Sequence, residues 1–235
     1  MKLHRFVLNF NIKTGEIKFD DRELFNQIGN VLKLKIGEKV ILCDGNMNEG
    51  TAEIKEYGKD FIKVEVGEIK VNQNEPLRHI ILYCAILKKE NFGLVVQKAT
   101  EVGVKEIVPL ITSRTIKLDV RKDRLDKIIK EAAEQSGRGI VPILRNPINF
   151  DEAIKAGKDN SVNLFFDCSG ESFNKSDRLD HKGLIGIWIG PEGGWTDAEL
   201  QLAKKSDFQI INLGKLTLRA ETAAIIASYE IINKQ

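Results

Sequence analysis

The stretch Ile189–Trp195, IGPEGGW, read together with Leu213–Ala223, LGKLTLRAETA, decides the fold of this chain. An apolar run, Leu184–Ile189, predicts a buried strand, and the glycine-rich turn follows it directly. Gly190, Gly193 and Gly194 permit positive φ and close approach of the backbone to a ligand; Pro191 stiffens the turn and Glu192 follows it. Thr196 and Glu199 have the spacing of a capping box, so a helix begins right after the loop and its free N–H groups face the same crevice. A plain strand-to-helix turn also favours glycine and proline, so the second stretch adds weight. There Gly214 follows the predicted strand Gln209–Leu213, and Arg219 and Glu221 stand beside Thr222 at the head of an otherwise apolar helix. Charge beside an apolar segment needs a reason. Either the helix macrodipole favours Glu221 and Arg219 pairs with it, or the two serve chemistry.

Working outward, strand and helix patterns alternate on both sides of these turns. Ile80–Ile86, Glu106–Ile111 and Asn163–Asp167 read as strands, and Asn91–Val102, Arg124–Ser136, Phe150–Ala156, Asp197–Lys204 and Ala220–Asn233 as helices. That alternation predicts an α/β domain with a mainly parallel sheet, whose ligands bind beyond the carboxyl ends of the strands. Residues 1–71 differ. Leu3–Phe10, Lys39–Leu42, Gly50–Tyr57 and Phe61–Val66 are β-rich, with one helix from about Asp21 to Leu32, which suggests a small barrel. The polar run Asn72–Pro76 has linker composition, giving two domains, 1–72 and 73–235.

Composition bounds the function. With 42% hydrophobic and 30% charged residues the chain has the balance of a globular protein. It lacks an apolar run of the ~18 residues a membrane span needs and the pattern of a signal peptide, so the expected address is the cytoplasm. Three scattered cysteines and three scattered histidines give no metal-binding spacing. The net charge is only +2, yet Arg114–Arg138 holds eight basic residues against five acidic ones, the first place to look for an RNA contact; a solvated charged helix reads the same way. Neither glycine run is a Walker loop or a G-x-G-x-x-G, and no G-x-S-x-G occurs, which favours group transfer from a bound cofactor over hydrolysis.

Several long motifs occur in one order: His4-Arg5-Phe6, Asp44-Gly45, Val96–Val104 (VQKATEVGV), Ser113-Arg114, Glu131–Pro142 (EAAEQSGRGIVP), IGPEGGW and LGKLTLRAETA. On these the chain resembles the bacterial 16S ribosomal RNA uridine-N3 methyltransferases (RsmE) of the SPOUT class. The resemblance implies a small PUA-like β-barrel RNA-binding domain, then a SPOUT domain with a deep C-terminal trefoil knot holding S-adenosyl-L-methionine. By motif match, Gly190, Pro191, Glu192, Gly193, Gly194, Leu213, Gly214, Leu216, Leu218 and Arg219 would bind the cofactor. Arg219, Glu221 and Arg138 are the candidate catalytic groups, and Arg5, Lys33, Arg114 and Arg138 the candidate RNA contacts. The implied partners are 16S rRNA in the small ribosomal subunit and a second copy of the chain in a homodimer, with neither DNA nor a membrane. A different RNA target, or a silent ribosome-assembly protein, are the competing readings. The chain departs from the family pattern at Asn26–Lys33, where one histidine and one arginine are missing and another arginine is Lys33. Lys33 neutralises a phosphate but offers no bidentate fork.

Overall fold

A computed structural model describes residues 3–88, 90–116, 120–173 and 183–233. The chain divides into two compact units, one of residues 1–75 and 133–141, the other of residues 76–132 and 142–235. The linear division at residue 72 does not contain the return of 133–141 to the first unit.

In the first unit, β1 (Arg5–Val7), β2 (Gly15–Phe19), β3 (Lys39–Cys43), β4 (Asn48–Tyr57) and β5 (Ile62–Val71) form a sheet of order β1-β3-β4-β5-β2. All pairings are antiparallel except β1 with β3. Alternation along β3, β4 and β5 turns Val40, Leu42, Ala52, Ile54, Ile62, Val64 and Val66 into one core with Phe6, Phe19 and Ile28. β2 was not anticipated, and the expected long strand Leu3–Phe10 shortens to three residues. The helix expected over 21–32 is one turn of α-helix, α1 (Arg22–Phe25), capped by the Asp21 carboxylate, that widens into a π-helix over Asn26–Val31. Lys33, at φ +53°, ends it in the left-handed region. The return segment belongs here through hydrogen bonds. The Val7 N–H donates to Glu134 at 2.9 Å, the Met47 N–H to the Gly139 carbonyl at 2.7 Å, and Arg138 meets Glu75.

In the second unit, β6 (His79–Ala85), β7 (Glu106–Ile111), β8 (Ile143–Leu144), β9 (Ile148–Asn149), β10 (Val162–Ser172), β11 (Leu184–Ile189) and β12 (Gln209–Asn212) make one sheet of order β12-β10-β11-β6-β7-β8, with β9 also on β7. Every pairing is parallel, and β6 and β11 are buried along almost their whole length, as strands covered on both faces must be. One face packs Tyr83, Phe150, Phe165, Trp188, Trp195 and Phe208 together, with Tyr83 and Trp188 stacked at 4.0 Å. α2 (Asn91–Val102) and α6 (Ala220–Asn233) pack against each other, and α6 against β6 and β11. Arg78, buried beneath α6, donates to the carbonyl of Ile231 in its last turn. The remaining helices are α3 (Lys122–Ser136), whose residues 133–136 belong to the first unit, α4 (Phe150–Gly157) and α5 (Asp197–Lys205). The strand expected at 163–167 runs on to Ser172. After a bulge, Glu171 and Ser172 pair again with β12, and Gly170 lies so close that a Cβ there would sit 2.6 Å from the Ile211 backbone.

Candidate functional site

The bulge of β10 and the carboxyl ends of β11 and β12 open onto a cavity of about 660 Å³, within the range of small-molecule sites. Its lining comes from Phe166–Cys168 at the bulge within β10, Ile189–Trp195 from the end of β11 onward, Asn212–Gly214 at the end of β12 and Leu216–Glu221 beyond it, with Asn91 at the head of α2 and Ala223 in α6. All ten residues expected to bind the cofactor line this one cavity, and Glu221 lines it with them.

The glycine loop is held from several sides. Pro191 to Gly194 is a turn closed by the Gly194 N–H to the Pro191 carbonyl at 2.9 Å, with Gly194 at φ +72°. Of the three glycines only this one has positive φ. Gly190 is small for another reason: a Cβ would sit 3.0 Å from the Trp195 indole, whose Nε1 donates to the Phe166 carbonyl at 3.0 Å and ties the loop to β10 where it bulges. At Gly193 a Cβ would lie 3.3 Å from Cδ of Arg114, and Nη1 of that arginine donates to the carbonyls of Gly193 and Trp195 at 2.6 and 3.2 Å. Glu192 accepts the Lys88 N–H at 2.8 Å, so its side chain fastens the loop to the segment after β6. Beneath, the capping box forms as the sequence predicts. Buried Glu199, 5% exposed, accepts the Thr196 N–H and hydroxyl at 2.8 and 2.9 Å and also the Ser113 N–H at 2.9 Å. Asn212 plays the matching part after β12, donating to the Gly170 carbonyl at 2.5 Å and accepting the Gly214 N–H at 3.0 Å, with Gly214 at φ +128°.

Leu216 is 82% exposed and Thr217 and Arg219 are exposed too, so this wall presents one apolar side chain beside a hydroxyl and a guanidinium. Glu221 is 9% exposed in the first turn of α6, where the macrodipole favours a carboxylate. Among the described residues no ion pair joins it to Arg219; the pairing considered from sequence is absent, and both groups remain available to the cavity. Burial pushes the Cys84 thiol up, with the Glu192 carboxylate adding to the effect, which makes it a poor nucleophile.

Other expected site residues lie elsewhere. Arg138 is not in the cavity lining: in the first unit it is 4% exposed, its Nε and Nη2 donate to Glu75 at 2.8 and 3.0 Å, and Glu75 also takes the Gly139 and Ile140 N–H groups. Arg5 is likewise engaged, with Nη1 2.7 Å from Glu49 and 2.9 Å from the Cys43 sulfur. Lys33 is exposed, and Arg114 is exposed beside the glycine loop. Lys117 and Asp119 of the basic segment lie outside the described residues. On α2, within the Val96–Val104 motif, Lys98 pairs with Glu101 at 2.7 Å and the Thr100 hydroxyl donates to the Val96 carbonyl. Sequence reasoning missed Phe166, Asp167, Cys168 and Asn212. Asn212 lies at the carboxyl end of β12, the position that marked the two turns, while Phe166, Asp167 and Cys168 lie at the bulge within β10.

Comparison with known proteins agrees with this geometry. Residues 73–231 match the RNA methyltransferase domain family, and residues 19–67 the RNA methyltransferase PUA domain. Ribosomal RNA small subunit methyltransferase E of Rickettsia conorii is 31% identical over 98% of this chain and 96% of its own. Its counterpart in Mesomycoplasma hyopneumoniae is 38% identical over 69% of this chain and 73% of its own. The crystal structure of the Neisseria gonorrhoeae ribosomal RNA small subunit methyltransferase E bound to S-adenosyl methionine superposes with a TM-score of 0.88 at 29% identity, covering 98% of this chain and 97% of that one. With a PUA-like unit, a parallel SPOUT sheet and the strand-end cavity in place, the chain belongs to the ribosomal RNA small subunit methyltransferase E family.

Proposed function

We propose that this protein is an S-adenosylmethionine-dependent methyltransferase that modifies N3 of a uridine in 16S rRNA of the small ribosomal subunit, working in the cytoplasm as a homodimer. The observation that carries the reading is the cavity itself, in which the glycine loop and the Leu213–Arg219 segment meet Glu221 at the carboxyl ends of parallel strands. Its volume and its backbone-rich, glycine-lined walls suit the cofactor bound in the Neisseria relative. We place a trefoil knot at the carboxyl terminus. The support for it is that β12 pairs on the far edge with β10 while the helix that follows packs back on β11 and β6.

The cofactor, when bound, supplies an activated methyl group. The protein must align the base with it and loosen a proton about as acidic as a phenol's. Glu221, buried and among the described residues without an ion pair, would accept or orient that proton, and Arg219 would stabilise the developing negative charge on the base. The loop carbonyls and N–H groups, fixed by Arg114, Glu192 and Glu199, hold the cofactor in one geometry. Arg114 and Lys33, both exposed, are the proposed RNA contacts; Arg138 and Arg5 are spent on internal ion pairs. Small subunits from a strain lacking this protein, incubated with it and labelled S-adenosylmethionine, should gain one methyl group at uridine N3. Absence of label refutes the enzyme reading, and label on another base or RNA redirects the substrate.

A further inference from the structure

Arg114 stands in a turn that is closed on itself. The Thr115 N–H donates to the Thr112 carbonyl at 3.1 Å, the Thr112 N–H to the Thr115 hydroxyl at 3.0 Å, and the Ser113 N–H to buried Glu199 at 2.9 Å. The backbone that presents Arg114 is thus anchored to the start of α5. Its guanidinium reaches the glycine loop with one nitrogen only, Nη1, which serves the carbonyls of Gly193 and Trp195. Among the described residues Nε and Nη2 have no hydrogen-bond or ion-pair partner, and the side chain is exposed. Half of a rigid five-donor fork holds the loop and the other half faces outward.

We propose that Arg114 couples the two substrates: Nη1 positions the cofactor loop while Nε and Nη2 receive an RNA phosphate. The proposal rests on the methyltransferase reading above. A phosphate on the open edge fixes the guanidinium plane and so reduces the entropy lost in ordering the Gly193–Trp195 carbonyls. An ordered loop in turn presents a fork already aimed at the RNA. By linkage the effect is reciprocal, each substrate tightening the other. Arg114 acts on the cofactor through the loop and is a positioning residue. Lysine would keep the charge but lacks the planar fork that serves carbonyl and phosphate at once.

The test titrates the full-length protein, Arg114→Lys and Arg114→Gln with labelled S-adenosylmethionine, alone and with saturating unmodified small subunits. Wild-type protein should bind cofactor roughly fivefold or more tighter when subunits are present. Arg114→Lys should keep most of its subunit affinity and lose that tightening, while Arg114→Gln should lose it and also lower the salt slope of subunit binding by about one. Equal tightening in wild-type and Arg114→Gln, or none in the wild-type protein, overturns the coupling. Wild-type protein that binds no cofactor overturns the methyltransferase reading instead.

Discussion

The carboxylate of Glu199 bonds the backbone N–H of Ser113 at 2.9 Å while closing the capping box with Thr196. One buried charge therefore joins the loop after β7 to the loop after β11, which are far apart in sequence. Three donors satisfy it, and an N-cap interaction depends on it. Glu199→Ala should cost about 2–4 kcal/mol of stability, read from urea unfolding. An unchanged midpoint would show that the join carries no weight.

Gly193 lines the cavity, and a Cβ on it would meet the Arg114 side chain at 3.3 Å, so its substitution acts through that side chain. Gly193→Val should displace the guanidinium, leave the fold intact and abolish measurable cofactor binding in calorimetry. Unchanged affinity would remove this part of the loop from the cofactor site.

Glu221→Gln removes a carboxylate that can take a proton while keeping its size and hydrogen-bonding shape. Turnover should fall by about 10² or more, with cofactor affinity changed less than about threefold. Equal loss of both would assign Glu221 to holding the cofactor.

Arg138 and Glu75 form a buried, two-point ion pair in the first unit. Breaking one side leaves an uncompensated charge, so Arg138→Met should destabilise by about 3–5 kcal/mol in denaturant unfolding. A variant of full stability that has lost only turnover would return Arg138 to the chemistry.

The Cys43 thiol is pushed up to about 11 by burial, partly offset by the Arg5 guanidinium. Its unfolded value is near 9.0, so the folded state holds the proton more tightly. The stability this contributes is complete below pH 9 and is lost as pH rises toward 11. Melting curves from pH 8 to 11 should fall more steeply for the wild-type protein than for Cys43→Ala, which removes this titration but leaves those of tyrosine and lysine.

Most of the second unit was legible because its signals are local. The apolar runs of β6, β7 and β11, the capping box at Thr196 and the apolar face of α6 each act within a few residues, and their boundaries agree within two residues. The first unit was harder to read. β2 is short and half exposed, and the π-helical widening after Phe25 depends on hydrogen-bond register, which residue spacing does not encode. The cavity's glycine and leucine residues were legible because they occupy strand ends. Asp167 and Cys168 sit at the bulge within β10 and, without glycine, carry no compositional mark.

By itself the sequence determined the α/β order, the capping of the helix after IGPEGGW and the two segments that meet around the cavity. The tertiary structure alone decided what the charges do. A charged residue's role depends on which partner lies within hydrogen-bond reach, and those partners are 63 residues away for Arg138, 79 for Arg114 and 86 for Glu199. No local pattern carries that information. Folding assigned Arg138 to an internal pair, left Glu221 without one among the described residues, and placed Arg114 between the loop and the surface.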